Sequence, residues 1–354
     1  MHRQTIRAAV AGRSGARWRL ETLELDAPRD DEILVRIHAC GICHTDLDMA
    51  ASCPTPSVLG HEGAGIVEMT GRDVDDLAPG DAVVLSFAAC GACAACRAGH
   101  PADCAHFMTL NFAGTRLDGS NALSDGVRGH FFGQSAFATH ALAARRNAVR
   151  VDRELDLALV APLGCGLQTG AGTVVNSLAL AAGEGLAIVG AGAVGLGALL
   201  AANIVGAEPR VVIEPLAERR ELAASLGATR TLAPEAALAG GMRDAFPAGA
   251  PALIDTAGDA AIFAAIPGWL AADGRVAWLT GAAGGGLEPG QQGHSVIQGD
   301  ADPQRFIPWL LDAHRRGDFP LERLITRYPF EAIETAAKDA EAGRVIKPVL
   351  VMDT

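Results

Sequence analysis

Apolar positions in this chain follow two rhythms, and the change between them near residue 167 predicts two kinds of domain. Before it, segments such as DEILVRIHACGI, GAGIVEM and GDAVVLSF are short and separated by Gly, Pro and Asp turns, the pattern of a mostly antiparallel, strand-rich domain. Beyond it, short apolar runs alternate with longer helix-like stretches. LAIV precedes a helix-like run to Gly206, RVVIEP precedes AERRELAASLGA, and PALIDTAG precedes DAAIFAAIPGWLAA and the strand GRVAWLTG. This is the alternation of a doubly wound parallel sheet. The expected division is 1–166 for the strand-rich domain, 167–297 for the parallel-sheet domain, and 298–354 for a return to the first domain through the strand-like VIKPVLVM.

The stretch 185–202, GLAIVGAGAVGLGALLAA, is uncharged and long enough by count to span a bilayer. Its internal order argues otherwise. A strand-like LAIV leads into Gly190, Gly192 and Gly195 at G-x-G-x-x-G spacing, then an alanine-rich helix. A buried parallel strand and the helix covering it are both apolar because protein surrounds them. Glu214, at the end of the next strand, lies nineteen positions beyond Gly195. In such a unit the glycines let backbone amides approach a pyrophosphate at the positive end of the helix. The acidic side chain accepts from the ribose hydroxyls and repels a 2′-phosphate, so NAD is the expected dinucleotide rather than NADP.

A length of 354 residues exceeds what one hydrophobic core usually organises, and 49% hydrophobic with 20% charged residues is a globular composition. The net charge of -12 argues against nucleic acid and anionic membrane surfaces as partners. The opening MHRQTIRAAVAGRSGARW has no apolar core followed by a small-residue cleavage site, so a cytoplasmic location is expected. The glycine-rich stretch 281–293, GAAGGGLEPGQQG, is expected to be flexible.

Cys90, Cys93, Cys96 and Cys104 follow the spacing C-x2-C-x2-C-x7-C. Thiolates this dense, without an export signal, point to one tetrahedral zinc rather than to disulfides. Unrelated core cysteines would not produce two successive x2 gaps. Four protein ligands close such a site, so it is structural, and the chemistry lies elsewhere.

A second set is spread along the chain: Cys43 in CGICHTD, His61 in GHEGAG and Cys165 in PLGCGLQTGAG. Two thiolates and one imidazole hold zinc with a fourth position open, where the ion acts as a Lewis acid on an alcohol. Singly, each residue has a plainer reading, since a buried cysteine is usually a small hydrophobe. Their combination with the flanking motifs selects the metal. Cys40 forms C-x-x-C with Cys43 but reads as a buried inert thiol once Cys43 is taken by zinc.

Nearly end to end, the chain resembles the zinc-dependent medium-chain alcohol dehydrogenases. GICHTD, GHEGAG, the four-cysteine loop, PLGCGLQTGAG and VGAGAVGLG occur in that family's order. The resemblance implies an α/β protein with a GroES-like catalytic domain and a Rossmann cofactor domain, one catalytic and one structural zinc per chain, and NAD. It implies Cys43, His61 and Cys165 as catalytic zinc ligands, Asp46 and Glu62 beside the metal, and Thr45 as the hydroxyl that takes the alcohol proton. His44 and Lys347 match positions that touch the cofactor pyrophosphate, and Thr169 a position beside the nicotinamide. Ala193, Val194 and Arg219 are further implied cofactor contacts.

Within the family, GHFFGQSAFATHALAARRNAVRV, PLGCGLQTGAGTVVN and RFIPWLLDAHRRGDFPLERLITRYPFEAI are most similar to the aryl (benzyl) alcohol dehydrogenase branch, as is His44 where others carry arginine. Phe87 and Phe112 are candidate pocket residues, with ordinary core as the alternative for each. Three departures stand out. Asp48 occupies the place of a relay histidine, so the proton leaves through His44 or Asp48 or stops at the cofactor ribose. The loop between Cys43 and His61 is shorter than usual. The stretch 281–300 is also short where relatives supply a dimer-pairing edge strand, which puts the dimer geometry in question. The expected activity is reversible oxidation of a primary alcohol, aromatic or allylic, to the aldehyde, in a homo-oligomer (dimer or tetramer). The alternatives are an alcohol dehydrogenase for aliphatic or terpenoid alcohols, or a non-catalytic NAD- and zinc-binding protein.

Overall fold

The computed structural model describes residues 3–12, 17–53, 55–280 and 286–353. Residues 281–285 of the glycine-rich stretch, expected to be flexible, and Pro54 of the short loop lie outside the described residues. The chain divides into two compact units. One comprises Met1–Cys165, Asp302–Asp312 and Pro320–Thr354, the other Gly166–Ala301 and Ala313–Phe319. The returning stretch expected from residue 298 is therefore interrupted, because a unit boundary falls inside the helix Pro303–Arg315.

The first unit is built on the strand Glu32–Gly41, which is buried along almost its whole length because it is paired on both sides. It runs antiparallel to Gly63–Thr70, to Lys347–Val351 and to His140–Ala144. Outward from these lie Ala82–Leu85 and Ala148–Val151 on one side and Ile325–Pro329 on the other. The C-terminal strand Lys347–Val351 thus pairs with the strand leading to Cys43. Trp18–Leu25, Gln4–Ala11 and Ser57–Val58 form a smaller sheet. Phe137, Phe330, Ile33, Leu34 and Leu142 are almost wholly excluded from water and carry much of the hydrophobic drive of this unit.

The second unit is the doubly wound sheet. Its six strands run Arg230–Leu232, Arg210–Ile213, Leu186–Val189, Ala250–Asp255, Leu270–Trp278 and Gln292–Ser295, all parallel. Leu186–Val189, fully buried, occupies the central position from which chain order reverses. The helix Ala193–Val205 follows and stops at Gly206 in the left-handed conformation. It lies backbone against backbone on the helix Gly166–Gly172, because a Cβ at Gly170 would sit 1.9 Å from the Val194 carbonyl. Among the described residues no single helix is long and apolar enough to cross a membrane.

One buried titratable group in the first unit couples folding to pH. His130 is 8% exposed, and burial, with Arg116 adding and Glu32 opposing, lowers its pKa from 6.5 to about 4. Arg29 also lowers it, and Asp118 opposes. Because the folded value is depressed, the unfolded chain takes up the proton first as pH falls. The contribution is nil above about pH 6.5 and becomes a destabilisation of up to about 3 kcal/mol towards pH 4. Asparagine tolerates the left-handed φ of 60° found here. His130→Asn is therefore expected to flatten the fall in melting temperature between pH 6.5 and 4.5, measured by calorimetry; an unaltered slope would show that other groups cause it.

Candidate active site

Cys43 ends the approach from the strand Glu32–Gly41 and caps the helix His44–Ser52. Asp46, in the first turn of that helix and fully buried, accepts hydrogen bonds from the Cys43 amide at 2.9 Å and the Gly60 amide at 3.0 Å. Its carboxylate also accepts from His61 Nδ1 at 2.8 Å. A carboxylate only accepts, so Nδ1 carries a proton and Nε2 is the ring nitrogen left for a metal. Nε2 is buried without a hydrogen-bond partner, which is the condition of a ring nitrogen awaiting a metal.

Around it, a ring nitrogen of His61, the sulfurs of Cys43 and Cys165 and a carboxylate oxygen of Glu62 all lie within 4.8 Å of one another. Burial opposes charge on His61, but Asp46 and Cys43 prevail and raise its pKa to about 10, so a cation bound at Nε2 would displace a proton there. The hydrogen bond from Cys165 holds the Cys43 thiol well below its ordinary range against burial, with Lys347 and His61 adding. Thiolate character in a buried pocket is the electrostatic signature of a cation site. These donors fit a zinc held by two sulfurs and one nitrogen.

Glu62 and Lys347 form a second buried pair. Lys347 Nζ donates to Glu62 Oε1 at 2.8 Å and to the Ile42 carbonyl at 3.1 Å. Burial raises the Glu62 pKa, with Lys347 opposing; burial likewise opposes the Lys347 charge, but Glu62 overrides it and the lysine value rises. Close approach here requires glycine at position 41, where a Cβ would meet Glu62 Oε2 at 2.0 Å. Lys347, implied by resemblance as a pyrophosphate contact, is thus spent largely on Glu62 and the Ile42 carbonyl.

Thr45 is half-buried with Oγ1 3.9 Å from Cys43 Sγ, while His44 and Asp48 are exposed on the same helix. Cys40 is fully buried, and burial pushes its thiol far up, which makes it inert. The four-cysteine loop brings Cys90, Cys93, Cys96 and Cys104 within 4.8 Å of one another. Backbone amides donate to the sulfurs of Cys90 and Cys104 at 3.2 to 3.4 Å. Amide donors lower the Cys93 thiol to about 6, and burial pushes Cys96 up to about 12. Four such thiols do not ionise together without a cation between them.

An aromatic wall from the run GHFFGQ stands against His61. Phe132 stacks on the imidazole with ring centroids 4.4 Å apart, and Phe131 meets it edge-on at 5.5 Å. Phe112 packs on Phe131 at 6.0 Å and Phe132 at 5.0 Å. Phe87 instead pairs with Phe107 at 5.7 Å and is 3% exposed. Of the two candidate pocket residues, Phe112 joins the wall and Phe87 lies in the core. A local signal for the wall did exist in the HFFG run, but no periodicity could aim those rings at His61.

In the second unit, Gly190 has a φ of +94°, and a Cβ at Gly195 would lie 1.9 Å from the Gly190 carbonyl. A Cβ at Gly192 would meet nothing within 4 Å, which leaves open space at the N-terminus of the helix that begins with Ala193 and Val194. Glu214 Oε2 accepts from the Ala191 amide at 2.8 Å and Oε1 from the Leu216 amide at 3.0 Å. Each oxygen retains a second acceptor direction. The cradle therefore fits a dinucleotide, with Glu214 anchored to the glycine turn it serves. Arg219 lies half-buried on the helix Ala217–Ser225, and Thr169 half-buried on Gly166–Gly172.

Known proteins resemble this chain in sequence and fold. Residues 29–153 match the alcohol dehydrogenase GroES-like domain and residues 193–297 the zinc-binding dehydrogenase domain. A geraniol dehydrogenase from Castellaniella defragrans is 46% identical, with 98% of each chain covered. A crystal structure of an alcohol dehydrogenase zinc-binding domain protein from Burkholderia ambifaria superposes with a TM-score of 0.95 at 40% identity, covering 100% of both chains. Benzyl alcohol dehydrogenase from Acinetobacter calcoaceticus gives 0.94 at 36% identity, covering 99% of this chain and 100% of that one. The chain belongs to the zinc-dependent medium-chain alcohol dehydrogenases.

Asp46→Asn replaces a charged acceptor that binds three donors by a neutral amide. Zinc affinity at the site should fall roughly 10- to 100-fold, as for other outer partners of ligating histidines. Equilibrium dialysis against buffered zinc measures this, and wild-type affinity would refute the assigned role.

Proposed function

We propose that this protein oxidises primary alcohols whose carbinol carbon adjoins an sp² carbon, benzylic or allylic, to aldehydes with NAD, and catalyses the reverse. The observation that carries this is the convergence of Cys43, His61 and Cys165 with Phe112, Phe131 and Phe132 beside it. Aromatic faces favour planar, polarisable partners. The relatives act on geraniol and benzyl alcohol by name, and both alcohols carry the hydroxymethyl group next to an sp² carbon.

When bound, zinc supplies Lewis acidity towards the alcohol oxygen, and NAD accepts the hydride. Cys43, Cys165 and His61 hold the ion, and Asp46 fixes the His61 tautomer. Thr45 takes the alcohol proton through its hydroxyl, and the exposed His44 or Asp48 passes it outward. Phe131 and Phe132 keep water from the ring face of His61. Lys347 holds Glu62 in place, and its remaining N–H, with His44, would be available to a phosphate group of the cofactor. In the second unit Gly190, Gly192, Gly195, Ala193 and Val194 cradle the pyrophosphate and Glu214 the ribose, while Thr169 and Arg219 complete the cofactor contacts. The eight cysteines are all unbridged, which supports a cytoplasmic setting. The exposed edge strand Gln292–Ser295 supports a homo-oligomer, dimer or tetramer.

Formation of NADH from benzylic, terpenoid allylic and straight-chain alcohols tests the proposal, with NADP run in parallel. Turnover should favour the first two classes and NAD. Preference for straight-chain alcohols would overturn the substrate class, equal use of NADP the role of Glu214, and absence of turnover the enzyme itself.

Metal content supplies a further check. About two zinc ions per chain are expected by elemental analysis, one in a closed and one in an open site. Cys165→Ser should remove one of them and abolish turnover while the four-cysteine zinc stays bound. One zinc per chain in active wild-type enzyme contradicts this.

A further inference from the structure

Gln134 is a residue for which the reaction outlined above has no use, yet its surroundings are built around it. It is 2% exposed, in the turn that follows the Phe131 and Phe132 pair. Its Oε1 accepts from the Gly63 amide at 3.0 Å, and Nε2 donates to the His61 carbonyl at 3.0 Å and to the Ser86 carbonyl at 3.2 Å. One oxygen faces an N–H and the nitrogen faces two carbonyls, so the amide orientation is fixed by its partners. Ser86 extends the chain of contacts: its hydroxyl donates to the Gly164 carbonyl, immediately before Cys165, at 2.7 Å.

The turn that presents Gln134 is strained. His130, Phe132 and Ser135 hold φ values of 60°, 51° and 55°, a region that side chains seldom adopt. Ser135 locks it by accepting from the Phe131 amide at 2.8 Å and donating to the Val58 carbonyl at 2.6 Å. Such backbone persists only where the surroundings over-determine it. Position 63 also makes room, since a Cβ there would lie 3.0 Å from Gln134 Oε1 and 2.7 Å from the Ala136 methyl group.

We propose that Gln134 and Ser86 are positioning residues for the catalytic metal, a polar bridge that fixes the loop carrying His61 relative to the loop carrying Cys165. The inference rests on the zinc reading of Cys43, His61 and Cys165. Asp46 ties His61 to Cys43, but the direct hydrogen bonds of its carboxylate do not reach the third ligand. The bridge through Gln134 and Ser86 does so. Without it, His61 and Cys165 are still present but their separation is free to drift, and the ion is held less tightly.

The test uses the zinc-loaded enzyme with Gln134→Met, which keeps the volume and removes the three hydrogen bonds, Ser86→Ala, and Ser86→Thr as the conservative variant. The readouts are the rate of zinc release to a colorimetric chelator, resolved into two sites, and the visible absorption of enzyme carrying cobalt(II) in place of the catalytic zinc. Release from the catalytic site should quicken roughly 10- to 100-fold in Gln134→Met and by a smaller factor in Ser86→Ala. The cobalt bands should shift, while Ser86→Thr and the four-cysteine zinc behave as in the wild type. A merely structural role would lower melting temperature without moving either readout. Wild-type release and cobalt spectra in both Gln134→Met and Ser86→Ala overturn the inference alone. Should Gln134→Met fail to fold, Ser86→Ala against Ser86→Thr decides. A wild-type chain holding no metal at Cys43, His61 and Cys165 overturns the zinc reading and the inference with it.

Discussion

The active region of the first unit depends on one carboxylate. Asp46 is fully buried, and three donors converge on its carboxylate: the amides of Cys43 and Gly60 and Nδ1 of His61. A buried charge without partners costs several kcal/mol, so each of the three donors is needed. Satisfying Asp46 draws the Cys43 turn onto the loop before Gly63–Thr70 and leaves Nε2 of His61 free of the carboxylate.

The Glu62 and Lys347 pair acts on a longer scale. Residues 62 and 347 meet because the C-terminal strand Lys347–Val351 pairs antiparallel with Glu32–Gly41 in the middle of the sheet. Losing one partner from so buried a pair costs about 3–5 kcal/mol, which makes the last strand a condition for the site rather than an appendage to it. Glycine at position 41 is the local concession that lets the Glu62 carboxylate lie against the strand.

In the second unit the equivalent constraint is steric. Gly190 and Gly195 permit the helix to start directly on the central strand, and Gly170 lets the neighbouring helix lie on its backbone. Open space beyond Gly192 and the anchoring of Glu214 on the Ala191 amide then follow from that closeness. A Cβ at any of the three contact positions would separate elements whose spacing defines the cradle.

Features encoded in local order were legible before any fold was known. The cysteine spacing of 90, 93, 96 and 104 lies in one loop, so its convergence needed no long-range information. The glycine fingerprint, the strand and helix alternation and the acidic Glu214 were legible for the same reason. The identity of Cys43, His61 and Cys165 as one set was legible only through motifs flanking each, because their separation along the chain carries no geometric signal. Only the tertiary contacts show which phenylalanines face His61, that Lys347 is held by Glu62 and the Ile42 carbonyl, and that Gln134 ties the His61 carbonyl to the Ser86 carbonyl. Those are contacts between segments far apart in sequence, fixed by sheet register and by a strained turn. Neither has a period or a spacing that a one-dimensional reading can detect.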